Sequence, residues 1–130
     1  MQMKPIILNK KAEAAAVVSA DSTAKSVGSG SLDVFGTPMM IALMERATCL
    51  AASEVLDEGE TTVGTRVNVS HLSPTVTGRE VRAEAELVGA DGRALCFRVQ
   101  AFDGAGLIGE GEITRFVVLS QKFMKKAEDR

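Results

Sequence analysis

The stretch VFGTPMMIALMERAT (residues 34–48) decides the fold, because it begins a long helix that other elements have to cover. Thr37 is a typical N-cap residue and Pro38 a typical first helical residue, so we predict a helix over residues 37–56. Apolar residues recur along it at helical spacing: Met40, Leu43, Met44, Ala47, Leu50, Ala51 and Val55. The adjoining face is apolar as well, which predicts a helix that is enclosed on nearly all sides.

After the helix, apolar and polar residues alternate, and this pattern predicts β-strands. In the first of these strands, alternation places five residues on one face: Val63, Thr65, Val67, Val69 and His71. Pro74 ends that strand, and Asp91-Gly92 and Asp103-Gly104 are turn signals that separate the three strands after it. We predict four strands linked as a meander, with Gly109 and Gly111 marking a bulge or a close backbone approach in the last strand.

The residues before the helix have a less regular pattern. Residues 12–20 are rich in alanine, but Val17, Val18 and the Ser, Thr and Gly residues that follow favour an extended chain, so we predict a strand there. The order of strand, long helix and four strands predicts an α+β domain in which one antiparallel sheet wraps around the helix. Because one small sheet cannot cover a helix that is apolar on two sides, we expect a homodimer.

Length and composition are those of one globular domain of 130 residues, with residues 1–10 and 121–130 as peripheral tails, the second polar and frayed. The net charge of −2 and the absence of Trp and Tyr argue against nucleic acid or an anionic membrane as a partner. The apolar run at residues 5–8 is too short for a signal-peptide core or a membrane span, so the cytoplasm is the expected location. Cys49 and Cys96 lack the spacing of a zinc site and are expected to be buried free thiols.

Three polar residues lie where the apolar pattern predicts burial: Thr37, Glu45 and His71, the only histidine of the chain. A buried hydroxyl, carboxylate and imidazole need partners, so these residues are candidates for each other's partners in one site. Each also has a simpler interpretation. Thr37 can serve only as an N-cap, Glu45 can be an exposed helix residue, and His71 can be a core histidine with satisfied nitrogens.

Short motifs surround these three residues. They are V-F-x-T at 34–37, L-M-E at 43–45, G-T at 64–65, V-x-H at 69–71, a Pro-Thr/Gly turn at 74–78, G-R-A-L at 92–95, and I-G-x-G at 108–111 followed by Arg115. Together they resemble the hotdog fold and, within it, the fluoroacetyl-CoA thioesterase-like family. The resemblance covers roughly residues 32–125.

The resemblance implies that Thr37, Glu45 and His71 are the catalytic residues of an acyl-CoA thioesterase. It implies that Gly64 and Arg115 help to bind the thioester, and that no cofactor or metal takes part. The expected reaction is hydrolysis of a small or short-chain acyl-CoA to the free acid and CoA. Without the resemblance, an arginine such as Arg115 would more often be a surface ion-pair residue.

The stretch SVGSGSLD (26–33) departs from the family pattern, because the fluoroacetyl-specific enzyme carries phenylalanine in a lid before V-F-x-T. A preference for a fluorinated acyl group is therefore not implied. Two other functions stay open: an acyl-CoA hydratase on the same fold, and a non-catalytic acyl-CoA-binding module. The hydratase would need an Asp–His pair, which Ser70 and Leu72 beside His71 do not supply. The acyl group stays open, as does whether the threonine, the glutamate or an activated water attacks it.

Helix geometry separates Thr37 from Glu45 within one chain. Their separation of eight residues corresponds to a rise of about 12 Å and to side-chain directions about 80° apart, so the two should not touch. If they cooperate, Thr37 of one subunit faces Glu45 of the other at a two-fold interface. A dimer of dimers stays open as well. Lys122, Lys125 and Lys126 are either a solvated tail or contacts to the CoA phosphates.

Overall fold

A five-stranded antiparallel sheet wraps around one long helix in the computed structural model, which describes residues 3–130. The elements in chain order are β1 (Lys11–Val17), α1 (Ala24–Val27), α2 (Thr37–Ala52), β2 (Glu60–His71), β3 (Glu80–Asp91), β4 (Ala94–Asp103), β5 (Gly106–Leu119) and α3 (Ser120–Glu128). The strand order in the sheet is β1-β3-β4-β5-β2. The predicted α+β architecture is therefore confirmed. Residues 1 and 2, at the start of the predicted N-terminal tail, lie outside the described residues.

Helix α2 begins at Thr37, but its N-cap is Gly36. The backbone N–H groups of Met39 and Met40 donate to the Gly36 carbonyl, and Pro38 has no N–H to satisfy. The prediction that Thr37 is the N-cap is therefore wrong. Because the Thr37 hydroxyl is not used to cap the helix, it is available to a residue from another element.

One side of α2 packs into the core, and the other side is open in the single chain. The buried side consists of Met40, Leu43, Met44, Ala47, Thr48, Ala51 and Ala52. It faces the inner residues of β3 and β4, which alternate as predicted: Val81, Ala83, Ala85, Leu87, Leu95, Phe97, Val99 and Ala101. The open side consists of Pro38, Ala42, Arg46, Cys49 and Leu50. The sequence predicts a helix that is enclosed on nearly all sides. A single chain does not provide that enclosure.

The strand order differs from the predicted meander of four strands. Strands β3, β4 and β5 form a meander, whereas β2 pairs with β5 at the edge of the sheet. Residues 72–79 connect β2 to β3 across the sheet, which a tight hairpin turn could not do. Along this connection Leu72 donates its N–H to the Ile108 carbonyl, and the Thr75 carbonyl accepts from Phe35. The connection is thereby held next to the start of α2.

A bulge in β2 changes which residues face α2. The register shifts between Gly64, opposite Arg115, and Arg66, opposite Thr114, so Thr65 is the extra residue. Before the bulge, Thr62 is buried. After it, Val69 packs on the core. Strict alternation therefore fails in this strand, and the prediction that Val63, which precedes the bulge, shares a face with His71 is wrong.

Other expectations have mixed outcomes. Gly109 permits the close approach predicted for β5, because a Cβ there would lie 2.5 Å from the Met40 sulfur. Residues 121–130 were expected to be frayed, but residues 121–128 belong to α3 (Ser120–Glu128). Both cysteines are free, but Cys49 is exposed and Cys96 half-buried in the single chain, so the prediction that both are buried is wrong. None of the helices formed by residues 3–130 is long and apolar enough to cross a membrane.

Candidate active site

Thr37 and His71 meet at the start of α2. The Thr37 hydroxyl lies 2.8 Å from Nδ1 of His71, which is the last residue of β2. The hydroxyl donates to Nδ1 when the ring carries its proton on Nε2, and accepts from Nδ1 in the other tautomer. Nε2 of His71 is buried and has no hydrogen-bond partner among the residues that the structure describes. The pair joins a hydroxyl to an imidazole beside the positive end of the helix dipole.

Burial lowers the pKa of His71 below its ordinary value of 6.5, and the backbone of Ser73 partly opposes this shift. The sequence left open whether desolvation or a neighbouring Glu45 dominates. Desolvation dominates in the single chain. A neutral imidazole is the form that can accept a proton, so this environment suits a general base.

A second group of side chains lies further along α2, where Glu45 meets Arg115 of β5. Nη1 of Arg115 donates to Oε2 of Glu45 at 3.0 Å. Arg115 is only 6% exposed, so its interpretation as a surface ion-pair residue does not hold. Gly64 lies against the same pair, because a Cβ there would be 2.5 Å from Oε2 of Glu45 and 3.4 Å from Nη1 of Arg115. The structure thus brings three of the expected site residues together.

Thr62 belongs to this second group, and the sequence did not single it out. Its hydroxyl accepts a hydrogen bond from Nε of Arg115 at 2.8 Å, and its carbonyl accepts one from Nη2 at 3.1 Å. These two bonds and the one to Glu45 occupy all three nitrogens of the guanidinium. A buried arginine needs such acceptors, and Thr62 stands two residues before Gly64 on the opposing strand. Because residues two apart in a strand share a face, the position of Thr62 relative to Gly64 could have identified it as a neighbour of Arg115.

An open pocket of about 290 Å³ adjoins the Thr37–His71 pair. It is lined by Ala24, Ser29, Val34, Phe35, Leu72, Ser73 and Pro74 together with the pair itself. Phe35 is buried, whereas the stretch at 26–33 supplies only Ser29 to the lining. The connection after β2 thus forms one wall of the pocket, and the chain before α2 forms the other.

The structure does not bring the two groups together within one chain. Among residues 3–130, Glu45 forms no hydrogen bond with Thr37 or His71, and its partner is Arg115. This agrees with the separation expected from helix geometry. Nowhere in the described chain do three or more His, Cys, Asp or Glu side chains form a group able to hold a metal ion. The site residues present a hydroxyl, an imidazole, a carboxylate and a guanidinium.

Comparison with known proteins shows which family this chain resembles. A family model described as fluoroacetyl-CoA-specific thioesterase matches residues 18–121. The fluoroacetyl-CoA thioesterase of Streptantibioticus cattleyicolor is 39% identical over 98 residues, which cover 75% of this chain and 70% of that protein.

Solved structures extend the likeness to the fold. A threonine-to-serine mutant of the fluoroacetyl-CoA enzyme FlK in complex with acetyl-CoA is 32% identical, with a TM-score of 0.90 over 95% of this chain and 98% of that one. A hot-dog-like protein from Thermanaerovibrio acidaminovorans is 22% identical, with a TM-score of 0.85 over 95% of this chain and 91% of that one, and it supports the fold alone. The hotdog fold is confirmed, and the chain belongs to the fluoroacetyl-CoA-specific thioesterase family.

Proposed function

We propose that this protein is an acyl-CoA thioesterase that hydrolyses a small or short-chain acyl-CoA to the free acid and CoA. The observation that carries the proposal is the 2.8 Å contact between the Thr37 hydroxyl and Nδ1 of His71, beside an open pocket. Relatives named as thioesterases, one of them bound to acetyl-CoA, support the choice of substrate class. The lack of phenylalanine at residues 26–33 gives no support for a preference for fluoroacetyl groups.

The Thr37–His71 pair supplies a nucleophile and a base. In direct attack, the Thr37 oxygen bonds to the thioester carbonyl carbon while its proton passes to Nδ1 of His71. The carbon–sulfur bond then breaks, and the imidazolium returns the proton to the CoA thiolate. Water next hydrolyses the threonyl ester with the same base, which releases the acid and restores the hydroxyl. If water attacks in the first step, the same imidazole takes the proton from the water.

An acyl group on Thr37 distinguishes these two routes. Mixing the protein with excess acyl-CoA and quenching within milliseconds should reveal, by mass spectrometry, an adduct that Thr37→Ala lacks. Thr37→Ser should keep the adduct, because serine also supplies a hydroxyl. If wild-type protein turns over steadily but no quench time reveals an adduct, attack by water replaces attack by Thr37.

We further propose that the working site forms between two copies of the chain. Strand β2 has β5 on one side and, among the described residues, no strand on the other. The open side of α2 is mostly apolar, with Pro38, Ala42, Cys49 and Leu50 around Arg46. A two-fold axis along this surface would bring the Glu45–Arg115 group of one subunit to the Thr37–His71 pair of the other. A monomer at micromolar concentration by light scattering would contradict this arrangement.

Thiol release is the direct test of the activity. Acetyl-, propionyl- and phenylacetyl-CoA are incubated with the protein, and free CoA is detected with a thiol reagent. His71→Ala and Glu45→Ala should lose turnover, whereas the exposed Ser70→Ala next to the histidine should keep it. Unchanged turnover in both site variants would refute the assignment. A binding module would instead show stabilisation by CoA thioesters in a thermal-shift assay without any thiol release.

Mixing the two inactive variants tests the shared site. In a dimer of one His71→Ala and one Glu45→Ala subunit, one of the two sites keeps all its groups if the site is shared between subunits. Random exchange makes half of the dimers mixed, so turnover should return to about a quarter of wild type. If each site lies within one chain, mixing restores nothing.

A further inference from the structure

A second pocket lies on the outer face of the sheet, where α3 packs against the end of β5. Its volume is about 350 Å³. We call it the basic pocket and define it by Arg93, Phe116, Lys122, Phe123 and Lys126, with Val117, Val118 and Leu119 completing the lining. Phe116 lies between the buried Arg115 and Val117 on β5, so its ring points away from α2. The proposed reaction makes no use of this pocket.

Three cations and two aromatic rings line the basic pocket, and no carboxylate does. Lys122 and Lys126 are four residues apart on α3 and therefore lie on the same face of the helix. Lys125 lies off this lining and forms an ion pair with Asp129 at 3.6 Å. The Arg93 guanidinium lies over the Phe116 ring, 5.4 Å from its centroid.

This combination has the chemistry of a site for a phosphorylated nucleotide. Lysine and arginine side chains bind phosphate oxygens through charge-assisted hydrogen bonds. An aromatic ring offers a stacking surface to a purine without demanding a particular base. An acyl-CoA carries both groups at the end remote from its thioester, as an adenine with a 3′-phosphate and a diphosphate.

The basic pocket lies near the Glu45–Arg115 group but across the sheet from it. Phe116 directly follows Arg115, and its partner Val63 directly precedes Gly64. From Arg115 the strand runs four residues to Leu119, or about 13 Å, before α3 begins. To reach the basic pocket from the Glu45–Arg115 group, a bound substrate would have to pass around this end of the sheet. A pantetheine arm has the length for that path.

We propose that the basic pocket binds the phosphorylated adenosine end of the CoA substrate. This inference rests on the proposed function, since it takes an acyl-CoA as the ligand. It assigns Lys122 and Lys126 to the phosphates, and Phe123 and Phe116 to the adenine. It also assigns a role to α3, which the sequence predicted as a frayed tail.

Truncated substrates isolate this contact. Turnover is measured with acetyl-CoA and with acetyl-pantetheine, which lacks the nucleotide. The double variant Lys122→Ala/Lys126→Ala should raise KM for acetyl-CoA about tenfold and leave kcat unchanged, because it removes two charge contacts that are solvent-exposed and therefore individually weak. KM for acetyl-pantetheine should not change. Lys125→Ala is the matched control, since it removes a lysine of the same helix that lies outside the pocket.

Direct binding separates this proposal from the proposed function. Titration calorimetry with CoA and with adenosine 3′,5′-bisphosphate should show about tenfold weaker binding to the double variant than to Lys125→Ala. If this holds while wild type releases no thiol, the nucleotide site stands and the hydrolase assignment fails. If thiol is released but the double variant binds both ligands like wild type, the site is overturned. Two results would indicate general charge attraction and would also overturn the site. One is that Lys125→Ala weakens binding of these ligands as much as the double variant does. The other is that inorganic phosphate, at matched ionic strength, weakens their binding to wild type to the same extent.

Discussion

Gly64→Ala tests whether turnover needs the Glu45 carboxylate in its present position. The added Cβ would lie 2.5 Å from Oε2 of Glu45, so the carboxylate would have to retreat almost 1 Å to reach an ordinary contact of about 3.4 Å. The backbone of Gly64 is not in the left-handed region, so alanine adds no backbone strain. The retreat would stretch or break the 3.0 Å hydrogen bond from Arg115.

The size of the effect follows from that hydrogen bond. Bonds to charged groups contribute roughly 1.5–3 kcal/mol, and the lower end applies because the Glu45 side chain is 36% exposed. About 1.4 kcal/mol corresponds to a factor of ten in rate, so we expect kcat to fall about tenfold. Displacement of the carboxylate would lower kcat, whereas a substrate that lies against Gly64 would respond through KM.

The assay is CoA release across a range of substrate concentrations, with a thermal melt of each variant. Gly104→Ala is the matched control, because it lies in the turn between β4 and β5 and a Cβ there would meet nothing within 4 Å. The control should match wild type in both measurements. The reasoning would be refuted if Gly64→Ala had the same kcat and KM as wild type. It would also be refuted if kcat fell as much in Gly104→Ala as in Gly64→Ala.

Three further outcomes are expected. Thr62→Val removes one acceptor of the buried Arg115 and should lower kcat/KM several-fold in the CoA-release assay, whereas Thr62→Ser should retain it. Because burial lowers the pKa of His71 below 6.5, the neutral ring should persist as the pH falls through 6.5, and the acid limb of kcat/KM should lie below that value. The Thr75 hydroxyl holds the pKa of Asp103 below its ordinary 3.8, so this bond stabilises the fold above pH 3.8 and is lost as the pH falls through the lowered pKa. Thr75→Val should therefore lower the free energy of unfolding in urea at pH 7, and the difference should shrink at pH 3.

The parts of the fold that depend on local pattern could be predicted from the sequence. Alternation identified the inner faces of β3 and β4, and turn signals at Asp91-Gly92 and Asp103-Gly104 identified the reversals between strands. The partner of β2 could not be predicted in this way. Both a hairpin with β3 and an edge pairing with β5 are compatible with its apolar pattern. What decides between them is the path of residues 72–79, which depends on contacts far apart in the sequence.

The candidate site shows the same division between local and distant causes. Capping is a local effect, and it pointed to Thr37 as the N-cap because threonine caps helices well. The alternative, a cap at Gly36 with the hydroxyl turned to His71, depends on a residue 34 positions away. The pairing of Glu45 with Arg115, which the sequence did not predict, likewise depends on the position of β5, since the two residues are 70 positions apart.

The bulge at Thr65 explains how one strand contributes to both groups of the site. Gly64 contacts the Glu45–Arg115 pair and His71 contacts Thr37, so both must face α2. In a regular strand they would point to opposite faces, because one position is even and the other odd. The one extra residue between them reverses the alternation and turns both inward. A feature that appears as an error in the apolar pattern is therefore what allows β2 to contribute to both the Thr37–His71 pair and the Glu45–Arg115 group.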